Sequence, residues 1–325
     1  MTQSKRYLVL GLAILGFGAV RLPFEQGLAV ELEEAKLMPP KLDVTTGDRI
    51  GQTFSAVSLG GLRTLVATFM NLRAFGFFTE QRWADVESAF ETIVDLAPRT
   101  RYYWETGSWH QAYNASAFYL YGESELPALR RKLSWRESVL KGREFLKRGI
   151  RNNPEDPILH ESLARLLSDS NKIAAFESVP DAYEEAYEQY MAALQTGKSR
   201  GYTKRAALYV LARVPGRESE ALAMLEEMER EQHHLFPTQR GLFYTLSYHE
   251  NPDQDVMSLV DSVFKDRRDA YDVLGNQWLR TRDHFPMFGV AKALKLLEKD
   301  LKVPDEKSIF KVHLQSPMSL DDEFR

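Results

Sequence analysis

The stretch Asn71–Pro98, NLRAFGFFTEQRWADVESAFETIVDLAP, decides the fold of this chain, because its small and large residues recur at helical spacing. The pattern predicts two helices joined by a short polar turn. The residues that set the register are Met70, Arg73, Ala74 and Phe77 in the first helix and Trp83, Val86, Phe90 and Ile93 in the second. Pro98 closes the unit, since proline cannot continue a helix. The stretch is therefore predicted to be one helical hairpin.

Related helix pairs follow along the chain. The predicted pairs are Arg101–Tyr119 with Ser134–Asn153, Ile158–Ser168 with Ala182–Thr196, and Tyr202–Ala212 with Ser219–Arg230. Small residues that predict close packing in the first of these pairs are Gly107, Ser108, Gly142 and Gly149. Leu120–Leu133, between its two helices, is predicted to be an insertion. After Pro237 the pattern weakens, but helices are still predicted over Thr238–Glu250, Val256–Lys265, Ala270–Arg280 and Pro286–Leu301.

These hairpins resemble the tetratricopeptide (TPR) repeat, a helix–turn–helix unit of about 34 residues. The resemblance covers residues 63–231, and the residues that match the second-helix signature best are Ala186, Tyr190 and Ala193. Val86 and Ile93 depart from the signature, which has small residues at those positions. Because such a hairpin cannot bury its apolar face alone, the resemblance implies an all-α, right-handed superhelical solenoid of antiparallel helix pairs that holds partners. An irregular all-α bundle is the alternative architecture, and the near absence of alternating β-branched runs argues against an α/β fold.

The chain is predicted to have five segments. They are a signal anchor or signal peptide over 1–24, a linker and acidic helix over 25–49, TPR-like repeats over 50–231, degenerate repeats or a C-terminal helical cap over 232–302, and an irregular tail over 303–325. Ile50–Phe78 is strongly apolar, but Arg63 and Arg73 interrupt it, and a central Arg costs about 2.5–3.5 kcal/mol in a membrane span. This stretch is therefore predicted to be a buried helix pair that opens the solenoid.

The N-terminus carries a candidate membrane segment. Lys5 and Arg6 precede the apolar run Tyr7–Val20, which has the charge and length of a signal-peptide core. Because no convincing small-x-small cleavage site adjoins the run, an uncleaved signal anchor is predicted. A cleaved signal peptide and a soluble N-terminal helix are the alternatives. The acidic stretch Glu25–Glu34 follows the run, so the bulk of the chain is predicted to be extracytoplasmic, on the periplasmic side of a membrane that residues 7–20 cross once.

Composition and motifs exclude several classes of function. With a net charge of −4 the chain lacks the basic stripe of a nucleic-acid binder, so no nucleic-acid partner is predicted. The basic cluster within Arg130–Arg151 is interrupted by acids at helical spacing and is predicted to be a solvated helix face. The absence of cysteine excludes disulfides and thiolate chemistry. Adjacent His233 and His234 would point about 100° apart on a helix and are predicted to cap it rather than bind a metal. Because no catalytic motif is found, no catalytic residue, cofactor or metal is predicted, and the chain is not expected to be an enzyme.

The aromatic stretch Tyr102–Tyr121 holds the best candidates for a binding site, because its aromatic residues cover more than one helix face. First helices line the concave groove of TPR arrays, and Trp and Tyr dominate interface energetics. The candidate partner-binding residues are Asn71, Trp109, Tyr113 and Asn114. Core packing of the same aromatics is the alternative interpretation.

The sequence thus predicts a membrane-anchored extracytoplasmic protein-interaction scaffold, with a protein or peptide partner in the concave groove. The alternative function is a helical-repeat enzyme or binding protein that acts on a cell-envelope polymer. For the enzyme, two carboxyl groups about 5–9.5 Å apart are expected in an aromatic-lined cleft.

Overall fold

A computed structural model describes residues 16, 17, 20, 63–122 and 126–312 of the chain. These residues form helices and connecting turns, without a β-strand, which confirms the predicted all-α class for this part of the chain. Apart from residues 16, 17 and 20, which are helical, the predicted anchor, linker and acidic helix lie outside the described residues, as do residues 313–325. Within the described ranges, no helix combines the length and the apolar character needed to span a membrane.

The chain divides into two compact units, Met1–Leu166 with Thr196–Ser199 and Leu167–Gln195 with Arg200–Arg325. The helical elements up to the division are α1 (Arg63–Thr79), α2 (Trp83–Leu96), α3 (Arg101–Trp109), a π-helical segment (His110–Ala115), α4 (Ser116–Tyr121), α5 (Ala128–Asn152) and α6 (Pro157–Ser168), in which the division falls. The second unit continues with α7 (Val179–Gln195), α8 (Thr203–Leu211), α9 (Glu218–Gln232), α10 (Pro237–Glu250), α11 (Val256–Val263), α12 (Arg267–Thr281) and α13 (Val290–Asp300).

The hairpin predicted from Asn71–Pro98 is formed by α1 and α2, which pack against each other. The register residues of α2 are all buried: Trp83, Val86, Phe90 and Ile93. On α1 the buried residues are the small Ala67 and Ala74. Of the predicted buried helix pair Ile50–Phe78, residues 50–62 lie outside the described residues. The remainder forms α1, which buries its alanines and leaves Leu65, Phe69, Leu72 and Phe75 more than half exposed.

Close packing between α3 and α5 depends on the predicted small residues. A Cβ at Gly142 would lie 2.6 Å from the Cβ of Ala112, and one at Gly149 would lie 2.9 Å from the Cβ of Trp104. Ser108 Oγ donates a buried hydrogen bond of 2.9 Å to the carbonyl oxygen of Gly142. These contacts show why the two helices need glycine at their crossing.

The segment Leu120–Leu133 is not the insertion that the sequence predicts. Helix α5 begins at Ala128, so only residues 122–127 separate it from α4. Pro127 fixes the backbone just before the helix, and the residues that follow, ALRRKL, are mostly strong helix formers. Residues 128–133 of the predicted insertion therefore extend α5 at its N-terminal end, and residues 120 and 121 belong to α4.

In the second unit, the described helices from α8 onward form two adjoining cores. Residues of α8, α9 and α10 form one core, which includes Leu208, Leu225 and Leu246. Residues of α10 to α13 form the other, which includes Leu274 and Leu294. The helices after Pro237, where the repeat pattern weakens, therefore share a core of their own.

The segment after α13 is held by one carboxylate. Glu298 accepts hydrogen bonds from Tyr271 Oη, Ser308 Oγ and the backbone N–H of Ile309, at 3.1, 3.0 and 2.7 Å. Short 3₁₀ turns at Asp305–Lys307 and Ile309–Lys311 follow. The described part of the predicted irregular tail is thus fixed against α12 and α13.

Candidate functional site

The candidate aromatics lie where a helix changes its geometry. α3, the π-helical segment His110–Ala115 and α4 follow one another without a break. At the end of the segment the backbone N–H of Ser116 donates to the carbonyl oxygen of Gln111, five residues earlier. The Ser116 hydroxyl donates to the carbonyl oxygen of Ala112 at 2.5 Å, so the side chain occupies a backbone acceptor and the helix widens there. Single π turns of this kind are frequent at functional sites.

Trp109 and Tyr113 form a stacked pair on this helix. Their ring centroids are 4.3 Å apart and the ring planes differ by 21°. The Trp109 side chain is 52% exposed, and Tyr113 is half-buried. A rigid, exposed indole beside a phenol offers a large amphipathic contact area, and its ordering in a complex costs little side-chain entropy.

Asn114 is held by a half-buried neighbour, His110. Its amide Nδ2 donates to Nδ1 of His110, 3.1 Å away. The imidazole lies between two rings of the hairpin, with its centroid 4.9 Å from that of Phe78 and 5.4 Å from that of Phe90. Burial lowers the pKa of His110, because a desolvated imidazolium is disfavoured. The neutral imidazole thus supports Asn114 beside the exposed aromatic pair.

Asn71 stands apart from the other three candidates. It is half-buried on α1, seven residues before Phe78, the α1 residue whose ring contacts His110. Seven helical residues correspond to about 10 Å along the axis. The structure therefore brings Trp109, Tyr113 and Asn114 together on one helix. Asn71 lies on α1, two turns before the α1 residue that contacts His110.

A small cleft opens between α2, α3 and α5. It has a volume of about 110 Å³, and its lining residues include Glu87, Glu91, Phe145, Lys141 and Arg148. Pockets for small-molecule ligands usually measure about 300–1,000 Å³. The volume of this cleft is below that range.

The carboxylates of this cleft are neutralised by bases on α5. Lys141 Nζ lies 2.9 Å from an Oε atom of Glu87, and Arg148 Nη1 lies 2.6 Å from one of Glu91. Each carboxylate therefore has its own counter-charge, which differs from the closely coupled acid pair of a glycosidase. The geometry favours a structural role for these acids.

Histidines and acids do not gather into a metal centre in the described ranges, where no group of three or more such side chains could hold an ion. His233 ends α9 with a left-handed backbone, at φ 58°, and its N–H donates to the carbonyl oxygen of Glu229. His234 contacts the ring of Phe236. Both residues thus take part in the turn that ends the helix.

Two features of this region were not predicted from the sequence. The π-helical segment leaves no periodic signal in the sequence, and its Ala112 packs closely on Gly142. The exposure of the large α1 side chains was also missed, although the pairing of Ala67 with Ala74 at a seven-residue spacing could have indicated the buried face.

In comparisons with known proteins, no family model, curated protein or solved structure matches this chain.

Proposed function

We propose that this chain is a membrane-anchored, extracytoplasmic scaffold that holds a protein or peptide partner on a solenoid of TPR-like hairpins. The observation that carries the proposal is the exposed Trp109–Tyr113 stack on a helix braced by α5. Exposed aromatics on a rigid support are the side chains that most often dominate protein–protein affinity. The helix pairs and their glycine contacts support the solenoid.

In this proposal the partner binds across α3 and the π-helical segment. Trp109 and Tyr113 provide the apolar contact, and Asn114 provides a polar group beside them. Attachment to the membrane is assigned to residues 7–20, by the charge pattern that flanks them in the sequence. The bulk of the chain then lies on the periplasmic side, where its partner would be found.

Affinity capture with the full-length chain tests the binding site. Wild-type protein, Trp109→Ala and Tyr102→Ala are each used to capture proteins from a detergent-solubilised cell envelope. Tyr102 is a matched control, since it is an exposed aromatic of the same helix that lies outside the stack and contacts Tyr103 instead. The expected result is a protein retained by the wild type and by Tyr102→Ala but lost by Trp109→Ala. Equal capture of the same protein by all three would show that the Trp109–Tyr113 stack is not part of the binding site.

A further inference from the structure

The face of α1 that points away from α2 is apolar. Leu65, Phe69, Leu72 and Gly76 follow one another at spacings of four, three and four residues, which aligns them along one side of the helix. Ala67 and Ala74, on the opposite side, are the residues buried toward α2. We call Leu65, Phe69, Leu72 and Gly76 the outer stripe. Its three large side chains are each more than half exposed, at 53%, 62% and 64%.

Charge is distributed unequally between the two helices of this hairpin. α1 contains Arg63 and Arg73 and no acidic residue. α2 contains four acids and no base: Asp85, Glu87, Glu91 and Asp95. In a chain with a net charge of −4, the basic and the acidic residues of this hairpin therefore lie on different helices.

We propose that the outer stripe lies on an anionic lipid surface, with α1 parallel to the membrane plane. Large exposed apolar patches mark protein or membrane interaction sites. Phenylalanine and leucine on one face of a helix bury at the boundary between headgroups and acyl chains, and an arginine beside that face attracts anionic headgroups. Arg73, four residues after Phe69, lies beside the outer stripe. Because α1 contains no acid, its own side chains add no repulsion at such a surface.

The same charges disfavour a second copy of this chain as the occupant. A symmetric contact through the outer stripe would bring two acid-free helices together, with Arg73 beside the contact on each. Like charges across an interface oppose association. An anionic lipid surface instead provides the complementary charge along the whole helix, which at 17 residues is about 25 Å long.

This inference goes beyond the proposed function. The anchor assigned to residues 7–20 would fix where the chain is attached, whereas the outer stripe would fix which side of the first hairpin faces the bilayer. The stripe can contact lipid whether or not residues 7–20 insert. The two ideas can therefore fail separately.

The test uses single cysteines as reporters, which is straightforward because the chain has no native cysteine. Full-length Leu72→Cys and Ser88→Cys are labelled with an environment-sensitive fluorophore. Leu72 belongs to the outer stripe, and Ser88 is an exposed residue of α2. Leu65→Cys serves as a second stripe reporter, and each labelled protein must melt like the wild type. The proteins are mixed with phosphatidylcholine vesicles, with and without phosphatidylglycerol, and lipid-borne quenchers are added in a parallel series.

The expected result is that the fluorophore emission shifts to the blue and is quenched by the lipid-borne quenchers at positions 65 and 72. Both effects should be larger in the anionic vesicles, and the emission at position 88 should not change. Protein that floats with the vesicles but shows equal emission at positions 72 and 88 would overturn this inference and leave the anchor intact. Protein that does not float at all would overturn both. A blue shift that appears without vesicles, together with a dimer in sedimentation, would assign the stripe to a second copy and overturn the lipid contact.

Discussion

Replacement of Gly142 by alanine tests the helix crossing that supports the aromatic pair. Gly142 lies within α5, where it faces the helix that carries Trp109 and Tyr113. An added Cβ would lie 2.6 Å from Ala112 Cβ, 2.9 Å from Ala112 N and 3.0 Å from Ser108 O. Two of these atoms belong to the backbone, so no side-chain rotation can relieve the contact. The helices would have to move apart, and the Ser108–Gly142 hydrogen bond would lengthen.

The expected magnitude follows from two opposing effects. Alanine is favoured over glycine in a helix by about 1 kcal/mol. Overpacking of a tight interior costs about 1–3 kcal/mol, and contact with immobile backbone atoms places this site near the upper end. The net loss of unfolding free energy should therefore be about 2 kcal/mol, which lowers the melting temperature by about 4–8 °C in a domain of this size.

Gly76→Ala is the matched control for this measurement. Gly76 also lies within a helix, but no described atom lies within 4 Å of an added Cβ. The same substitution should therefore stabilise the protein there, by about 0.5–1 kcal/mol. Thermal and urea unfolding of both variants, followed by circular dichroism, measure the two changes. If Gly142→Ala were as stable as Gly76→Ala, the close crossing of α3 and α5 would be wrong.

Three further predictions concern other parts of the chain. Because burial lowers the pKa of His110, the unfolded chain takes up a proton before the folded chain does as the pH falls below about 6.5. The free energy of unfolding should therefore decline below that pH. His110→Gln should flatten the decline, as measured by urea titrations at several pH values. Ala186 is fully buried on α7, whereas Glu188 on the same helix is exposed. Ala186→Leu should therefore lower the free energy of unfolding by about 1–3 kcal/mol, and Glu188→Leu should leave it almost unchanged. Similar melting temperatures for both variants would contradict the register of α7. If Tyr7–Val20 is the anchor, full-length protein should remain with carbonate-washed membranes, and recovery wholly in the soluble fraction with Met1 intact would argue against it.

Helix positions could be predicted because burial repeats with the helical period. Most boundaries fall within one turn of the predicted ones, and α2 buries its predicted register residues. Glycine and serine at the crossing of α3 with α5 were also identified, since only small residues allow backbones to approach so closely. These features are local, or depend on a single face of a single helix.

The exposed face of α1 and the π-helical segment could not be predicted in the same way. Leu65, Phe69 and Leu72 look like core residues, and the opposing signal is only the seven-residue spacing of Ala67 and Ala74, which are buried where α2 packs on α1. The π turn depends on a tertiary contact and on the Ser116 hydroxyl. Among the candidate site residues, the stacking of Trp109 on Tyr113 follows from their four-residue spacing, whereas the separation of Asn71 depends on how α1 meets the next helix.

Partner affinity, measured together with stability for Trp109→Ala and Tyr113→Ala, tests the proposed binding role most directly. The stack between the two rings contributes about 0.5–1.5 kcal/mol, and Trp109 is already half exposed, so each variant should melt within a few degrees of the wild type. Binding of the captured partner, measured by titration calorimetry, should weaken by about 2 kcal/mol in each variant, as expected for aromatic hot spots. If both variants melted early yet bound the partner normally when folded at low temperature, these aromatics would be core residues and the proposed binding site would be wrong.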